Sequence, residues 1–203
     1  QGMLARDTSS SLGWSLMGMA IDGEDITSFD HRSDFSYASK GSGEKIEATA
    51  KDLAEHLLEC LGARKGVSYR GQVLLPPSLV EELLVDPLIY HILGGNIMDG
   101  KSRWAEAIGE KIAFEGYTLE DHPHDVRMRG CTPFSREGVP TRKLSLVEKG
   151  ILKQQLDSVY SAKKRGTAPT GNGSGPHVPV LGAGRTPLAK LKASGSRLLD
   201  CGR

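Results

Sequence analysis

Lys143-Leu144-Ser145-Leu146-Val147-Glu148-Lys149-Gly150-Ile151-Leu152 is the stretch on which the reading of the fold turns. Two apolar runs flank a short polar turn that ends in glycine, which is the signature of an antiparallel hairpin. Working upstream, Lys111 to Leu119 has a strand-like pattern. Downstream, a short helix is predicted over Ser158 to Arg165 and stops at Gly166. Beyond it, Pro169-Thr170-Gly171-Asn172-Gly173-Ser174-Gly175-Pro176 is made almost wholly of loop-forming residue types.

The first half mixes the same two kinds of element. Residues 12–37 read as extended structure folded about an Asp22-Gly23 turn. Ile46, Ala50, Leu53, Ala54, Leu57, Leu58 and Leu61 then recur at three- and four-residue intervals, an amphipathic helix that Gly62 ends. Gly71 to Leu75 predicts a short buried strand closed by Pro76-Pro77. Ser78 and Glu81 are spaced as a capping box for a helix from Leu79 to about Val85, with Pro87 kinking it or opening a new segment over Leu88 to Leu93. A glycine-rich turn over Gly94 to Gly100 and a short helical stretch around Trp104 and Ile108 complete the pattern. Strands and helices do not alternate regularly, so the expected class is α+β: mainly antiparallel sheet with a few packed helices.

Composition sets the outer bounds. The chain has 203 residues, 25% charged and 38% hydrophobic, as in a globular protein. Its 25 glycines and 10 prolines imply many turns. No window approaches the ~18 uninterrupted apolar residues of a membrane-spanning helix, and no basic n-region precedes an apolar run at the start. The expectation is therefore no membrane partner and a cytoplasmic location. The chain begins at Gln1, which suggests a processed or excised fragment. Cys60, Cys131 and Cys201 form no C-x-x-C pair and no disulfide framework. Charge is uneven: residues 159–203 carry 8 Lys/Arg against 1 Asp/Glu, whereas 1–158 carry 18 against 24. The helix stop at Gly166 and the loop-forming, basic run beyond it divide the chain into a central α+β domain over 1–166 and a loop-rich basic segment over 167–203. A basic segment can meet nucleic acid, but Tyr160 is its only aromatic, so residues 159–203 offer no stacking platform for single strands.

Three motifs invite chemistry. Gly95-Asn96-Ile97-Met98-Asp99-Gly100-Lys101-Ser102 fits G-x-x-x-x-G-K-[ST], in which backbone N–H groups, the lysine and the serine hold phosphates and magnesium. A small nucleotide-binding enzyme is thus an alternative reading, although no apolar strand ending in aspartate follows, and Asp99 places a negative charge beside the phosphates. Asp121-His122-Pro123-His124-Asp125 offers two imidazoles and two carboxylates to an adventitious transition metal, set against a plain solvated loop. No H-E-x-x-H, H-E-x-x-x-H or G-x-S-x-G occurs, so the chain shows no catalytic or metal-ligating set of its own.

From Thr118 onward a succession of short segments is informative. Thr118-Leu119-Glu120-Asp121-His122-Pro123 is followed by Phe134-Ser135-Arg136-Glu137-Gly138-Val139-Pro140-Thr141. Val147-Glu148-Lys149-Gly150-Ile151-Leu152-Lys153, Tyr160-Ser161-Ala162-Lys163-Lys164-Arg165-Gly166 and Thr170-Gly171-Asn172 come next. This succession resembles the TldD/PmbA family, also called modulator of DNA gyrase. The resemblance implies a two-subunit zinc metallopeptidase that trims peptides and processes modified-peptide precursors. It also implies that this chain is a central-to-C-terminal portion: the family's N-terminal α/β domain is absent, and further sheet follows where the chain stops. In the TldD type a helix carries H-E-x-x-x-H. The corresponding stretch here is Val85-Asp86-Pro87-Leu88-Ile89-Tyr90, so the chain resembles the PmbA (TldE) type, without zinc, whose TldD-type partner holds the metal. A homodimer is also open. For contact with a peptide substrate the candidates are Glu137, Gly138, Val139, Pro140 and Thr141, with Thr170, Gly171 and Asn172.

Overall fold

A computed structural model describes residues 4–37, 40–194 and 197–198. Cys201 therefore lies outside the described residues. The chain packs as two compact units, one built mainly from residues 8–75 and the other from 76–190. These boundaries follow packing, whereas the division at 166/167 followed charge and composition. The 76–190 unit runs through residue 166, because its sheet takes a strand from beyond it.

In the 8–75 unit, β1 (Leu12–Gly18) pairs antiparallel with β4 (Asp30–Ser36), Leu12 opposite Ser36 and Gly18 opposite Asp30. The hairpin continues into β2 (Ile21–Asp22) and β3 (Asp25–Ile26) around the Asp22-Gly23 turn. Helix α1 (Ser42–Glu59) buries Leu53 and Leu57. The indole Nε1 of Trp14 donates to Thr49 Oγ1 at 3.1 Å, tying β1 to α1. The strand expected over Gly71 to Leu75 shrinks to β5 (Val73–Leu74), which pairs in parallel with Arg197–Leu198. Val73 is exposed rather than buried, since a two-residue ladder with one neighbour covers little surface.

The 76–190 unit holds a four-stranded antiparallel sheet in the order β8-β7-β6-β9, made of β6 (Leu119–Asp121), β7 (Leu144–Glu148), β8 (Ile151–Leu152) and β9 (Pro179–Leu181). The hairpin of β7 and β8 closes through Lys149 and Gly150, at φ 48° and 79°. Two successive positive φ values match the right-handed twist of the flanking strands, as two-residue hairpin turns require. Glycine is required at 150 because a Cβ there would run into the Ala113 carbonyl oxygen. Leu119, Leu146, Val147, Leu152 and Leu156 are fully buried beneath a helical segment that contributes Val85, Leu88 and Ile92.

That segment is helical throughout, as α2 (Pro77–Val80), a wide π turn (Glu81–Val85) and α3 (Asp86–Ile92). Pro77 stands in its first turn, where a missing N–H costs nothing. Pro76 takes the N-cap position, so the expected Ser78/Glu81 capping box does not form. Pro87 does not break the segment. The wider turn just before it accommodates a residue with no N–H and a bulky ring, a common origin of π turns. The Tyr117 hydroxyl donates to the Leu84 carbonyl inside that turn at 3.1 Å.

Two further expectations are corrected. Gly94 to Gly100 is not simply a turn, because α4 (Gly94–Met98) occupies its first part. Lys111 to Leu119 is mostly irregular: Ile112 and Ala113 both donate to the Gly150 carbonyl, and only Lys111 bridges to Ile151 before β6 begins. The segment wraps the hairpin turn, so Ile112, Ala113 and Tyr117 pack on the core without a ladder while Phe114 is exposed. Helix α5 (Val159–Arg165) follows its sequence signals, with Ser158 and Ser161 forming a reciprocal cap and Gly166 as the stop.

Lys149 holds a left-handed conformation that costs a side chain with a Cβ about 1 kcal/mol and asparagine less. Lys149→Asn should therefore raise stability by about 0.5 kcal/mol. A urea midpoint that falls or stays put would show that the turn holds no such strain.

Candidate functional site

Two buried carboxylates position the loop that carries Thr170, Gly171 and Asn172. Asp121, fully buried at the end of β6, accepts from the Val178 and His177 backbone N–H groups at 2.7 and 3.0 Å and from the side-chain amide of Asn172. Asp157 accepts from Ser161 Oγ at 2.7 Å, from Arg165 Nη1 at 2.7 and 2.9 Å, and from Thr167 Oγ1 at 2.9 Å. Its backbone carbonyl accepts from Thr170 N at 3.0 Å. Arg165 also donates to Gln155 Oε1, and Gln155 in turn donates to the carbonyls of Trp104 and Ala105. A carboxylate removed from water needs such a full set of donors.

Thr170, Gly171 and Asn172 are consequently buried within the unit. Gly171 is at φ 82°, and a Cβ on it would stand 2.6 Å from the Pro140 carbonyl oxygen. The fold thus brings both candidate segments side by side. In the other segment, Ser135 N donates to Val139 O at 2.8 Å and Gly138 N to Ser135 O at 2.9 Å, forming a tight turn. Glu137 and Pro140 are exposed, Gly138 and Val139 are half-buried, and Thr141 is buried. The Glu137 carboxylate accepts from Val159 N at 3.0 and 3.2 Å, at the start of α5. Thr141 Oγ1 donates to Thr132 O at 2.5 Å and lies 3.0 Å from His124 Nε2, which donates to it. Asn172 Oδ1 is buried and accepts no hydrogen bond, its amide oriented by donation to Asp121. Surface loop and buried brace therefore alternate, and only Glu137 to Pro140 presents atoms outward.

The Asp121–Asp125 stretch does not gather its ligand-type side chains. His122 Nε2 bonds Glu120 Oε2 at 2.8 Å, His124 turns to Thr141, Asp121 points inward, and Asp125 holds Arg127 at 2.7 and 2.9 Å. A concavity of about 210 Å³ lies among His122, Pro123, His124, Asp125 and Lys143. Among the described residues, no group of three or more His, Cys, Asp or Glu is placed to hold a metal ion. The Glu120 carboxyl is held below the usual range by its hydrogen bond to His122 and then by Lys143.

Nor does Gly95–Ser102 form a phosphate cradle. The segment before it is helix α3 rather than a strand, and α4 winds up the residues that would line the loop. Lys101 Nζ pairs with Asp99 Oδ2 at 2.7 Å, while Ser102 Oγ donates to the His91 carbonyl at 2.5 Å. At the Val85–Tyr90 stretch the donor chemistry is unsuited to zinc. Val85 has no lone pair and packs in the core, Pro87 has none to offer, and Tyr90 is exposed. Most of residues 159–181 belong to the folded unit, and Arg165 meets an internal carboxylate. No helix among the described residues is long and apolar enough to cross a membrane.

Sequence reading missed the Asp157–Arg165–Gln155 network. Its members are ordinary polar residues in the sequence, and only their burial reveals them. Asp157→Ala should destabilise the chain by about 3 kcal/mol, because it leaves the largely buried Arg165 guanidinium without its carboxylate. In chemical denaturation the double change with Arg165→Ala should lose much less than the sum of the single losses; strict additivity would mean the pair does not act together. Separately, Asp125 is held at about 2 by its hydrogen bonds and charge pairing with Arg127. Its contribution to stability is present above the ordinary aspartate value of 3.8 and is lost as pH falls toward 2. NMR titration of Arg127→Gln should return the Asp125 carboxyl toward 3.8, and an unchanged titration would assign the shift elsewhere.

Comparison with known proteins places this geometry. Residues 68–199 match the family model described as PmbA/TldA metallopeptidase C-terminal domain. Metalloprotease PmbA of Escherichia coli O157:H7 is 30% identical over 154 residues, covering 75% of this chain and 34% of that protein. The Haemophilus influenzae PmbA homologue is 27% identical over 208 residues, covering 98% of this chain and 44% of that protein. Among solved structures, a Bacteroides thetaiotaomicron protein assigned as a modulator of DNA gyrase superposes with a TM-score of 0.76 at 28% identity, over 92% of this chain and 41% of that one. TldE from Thermococcus kodakarensis gives 0.68 at 25% identity, over 91% and 43%. The chain thus spans less than half the length of these relatives. The antiparallel sheet, its helices and the matched segment together show that the chain belongs to the PmbA/TldD metallopeptidase family.

Proposed function

We propose that this chain is the PmbA/TldE-like, non-catalytic part of a TldD/TldE-type zinc metallopeptidase assembly that acts on peptides in the cytoplasm. One observation carries the reading. The helix that corresponds to the zinc-binding helix of the TldD type has its first ligand position filled by Val85, a buried core residue, and its last by Tyr90. Neither side chain can take the place of a neutral imidazole, so Asp86, which stands at the glutamate position, has no imidazole pair beside it to hold zinc.

On this reading zinc belongs to a TldD-type partner, where it would polarise the peptide carbonyl and lower the pKa of bound water. This chain's residues do other work. The turn Glu137-Gly138-Val139-Pro140-Thr141 presents its outer atoms to an extended peptide, and Thr170-Gly171-Asn172 stiffens it from behind. A turn braced by buried groups positions a ligand better than a free loop does. Pairing to a strand edge would add main-chain recognition without regard to side chains, which suits a peptidase of broad scope. The nucleotide and nucleic-acid readings have no comparable support, since Lys101 and Arg165 are both held by carboxylates of the chain itself.

Zinc analysis and a peptidase assay test the proposal. The purified chain alone should hold no stoichiometric zinc and cleave no peptide. Adding a TldD-type subunit that carries H-E-x-x-x-H should give zinc-dependent cleavage. Stoichiometric zinc together with cleavage by the chain alone would overturn it.

A further inference from the structure

The charges of residues 120–143 are unevenly used. Every carboxylate there is engaged inside the chain: Glu120 by His122 and Lys143, Asp121 by Asn172, His177 and Val178, Asp125 by Arg127, and Glu137 by the first N–H of α5. The same stretch carries five Lys/Arg residues. Arg127 and Lys143 hold the carboxylates just named, whereas the Arg129, Arg136 and Arg142 side chains make no hydrogen bond or ion pair among the described residues. The acids are spent internally and three guanidinium groups are left over.

Two of the three bracket the candidate turn. Phe134 bridges Pro140 in antiparallel fashion, and Thr141 N donates to Pro133 O at 3.1 Å, so residues 133–141 form a short hairpin. Arg136 lies two residues beyond Phe134 and Arg142 two beyond Pro140, which places both on the face that Phe134 and Pro140 share. That face is the outward one: Arg136, Pro140 and Arg142 are exposed, while Ser135 and Val139 of the opposite face are half-buried and Thr141 is buried. Gly171 supports the hairpin from behind at Pro140, and His124 holds it at Thr141. Guanidinium groups are planar, weakly hydrated forks that match carboxylates. Carried on a braced hairpin, they lose less freedom when a ligand binds.

We propose that the Arg136/Arg142 face recognises acidic side chains of a peptide, so that the assembly favours segments with two carboxylates spaced one residue apart. In an extended peptide such residues project to the same side, one for each arginine, whereas a chain end supplies a single carboxylate. This inference rests on the reading of the Glu137–Thr141 turn as a peptide contact, and it adds the class of peptide taken.

Fluorescence anisotropy with the whole 203-residue chain tests it. The probes are amidated, dye-labelled Gly/Ser peptides that carry either Glu-Ser-Glu or Gln-Ser-Gln. The acidic probe should bind about tenfold more tightly, at about threefold for each exposed charge pair, and added salt should shrink the difference. Arg136→Gln with Arg142→Gln should abolish that preference. Arg64→Gln with Lys65→Gln, an equal loss of charge at exposed positions of the 8–75 unit, should keep it. Circular dichroism checks that both variants are folded. Equal affinity for the two probes would overturn the proposal, as would a preference that survives loss of both arginines or disappears equally in the Arg64/Lys65 variant. Arginine-dependent binding of a single-stranded oligonucleotide, with no discrimination between the peptides, would assign the face to nucleic acid instead. The peptidase reading is judged separately by the rates at which the assembly with a TldD-type subunit cleaves the probes. Cleavage of both at equal rates overturns the acidic preference and leaves that reading standing. Cleavage of neither counts against that reading, while the binding comparison still decides the role of the arginines.

Discussion

The Asp157 carboxylate is the point on which the second half of the molecule depends. It lies just beyond Leu156, whose N–H and carbonyl pair with Ile92 and Gly94. It also draws together Ser161 and Arg165 from α5, and Thr167 from the loop that follows. A buried anion without these donors would be costly, so the donors must arrive together. Their arrival fixes the end of α3, the start and finish of α5, and the path of the chain into Thr170. Asp121 repeats the device at the other end of the same loop, gripping Asn172, His177 and Val178 before β9 begins.

Between those two anchors the loop has little freedom. Gly171 passes so close to Pro140 that a side chain would collide with its carbonyl, and the Glu137 carboxylate sits on the first N–H of α5. The exposed turn over Glu137 to Pro140 is therefore held from below by the braced loop and from the side by a helix. Its rigidity comes from buried hydrogen-bonded groups, with Asn172 Oδ1 alone left unpaired among the described residues, and such a set specifies one arrangement where an apolar core would tolerate several.

The helix over residues 77–92 shows the same economy in a different way. Its core-facing residues pack on the sheet as any helix would, while the π turn before Pro87 keeps the axis continuous past a residue that ordinarily ends a helix. In this segment Val85 packs in the core and Tyr90 faces outward.

Local chemistry determined a good part of this protein directly. The 143–152 hairpin, α1, the Ser158–Gly166 helix and the α+β class all follow from short-range signals: period, turn glycine and cap. The ordered segments from Thr118 to Asn172 carried the family resemblance. What only the tertiary structure decided were the features set by distant partners. Lys111 to Leu119 has a strand-like pattern, but Ile112, Ala113 and Tyr117 pack on the core around the hairpin turn without a ladder, and only Leu119 enters the sheet. Ser78 looked like a cap, but Pro76 entered the helix first. Asp121 looked like a metal ligand beside two histidines, yet it faces the interior and meets groups 51 and 57 residues away. A carboxylate's burial depends on which distant donors reach it, and that information is not in its neighbours along the chain.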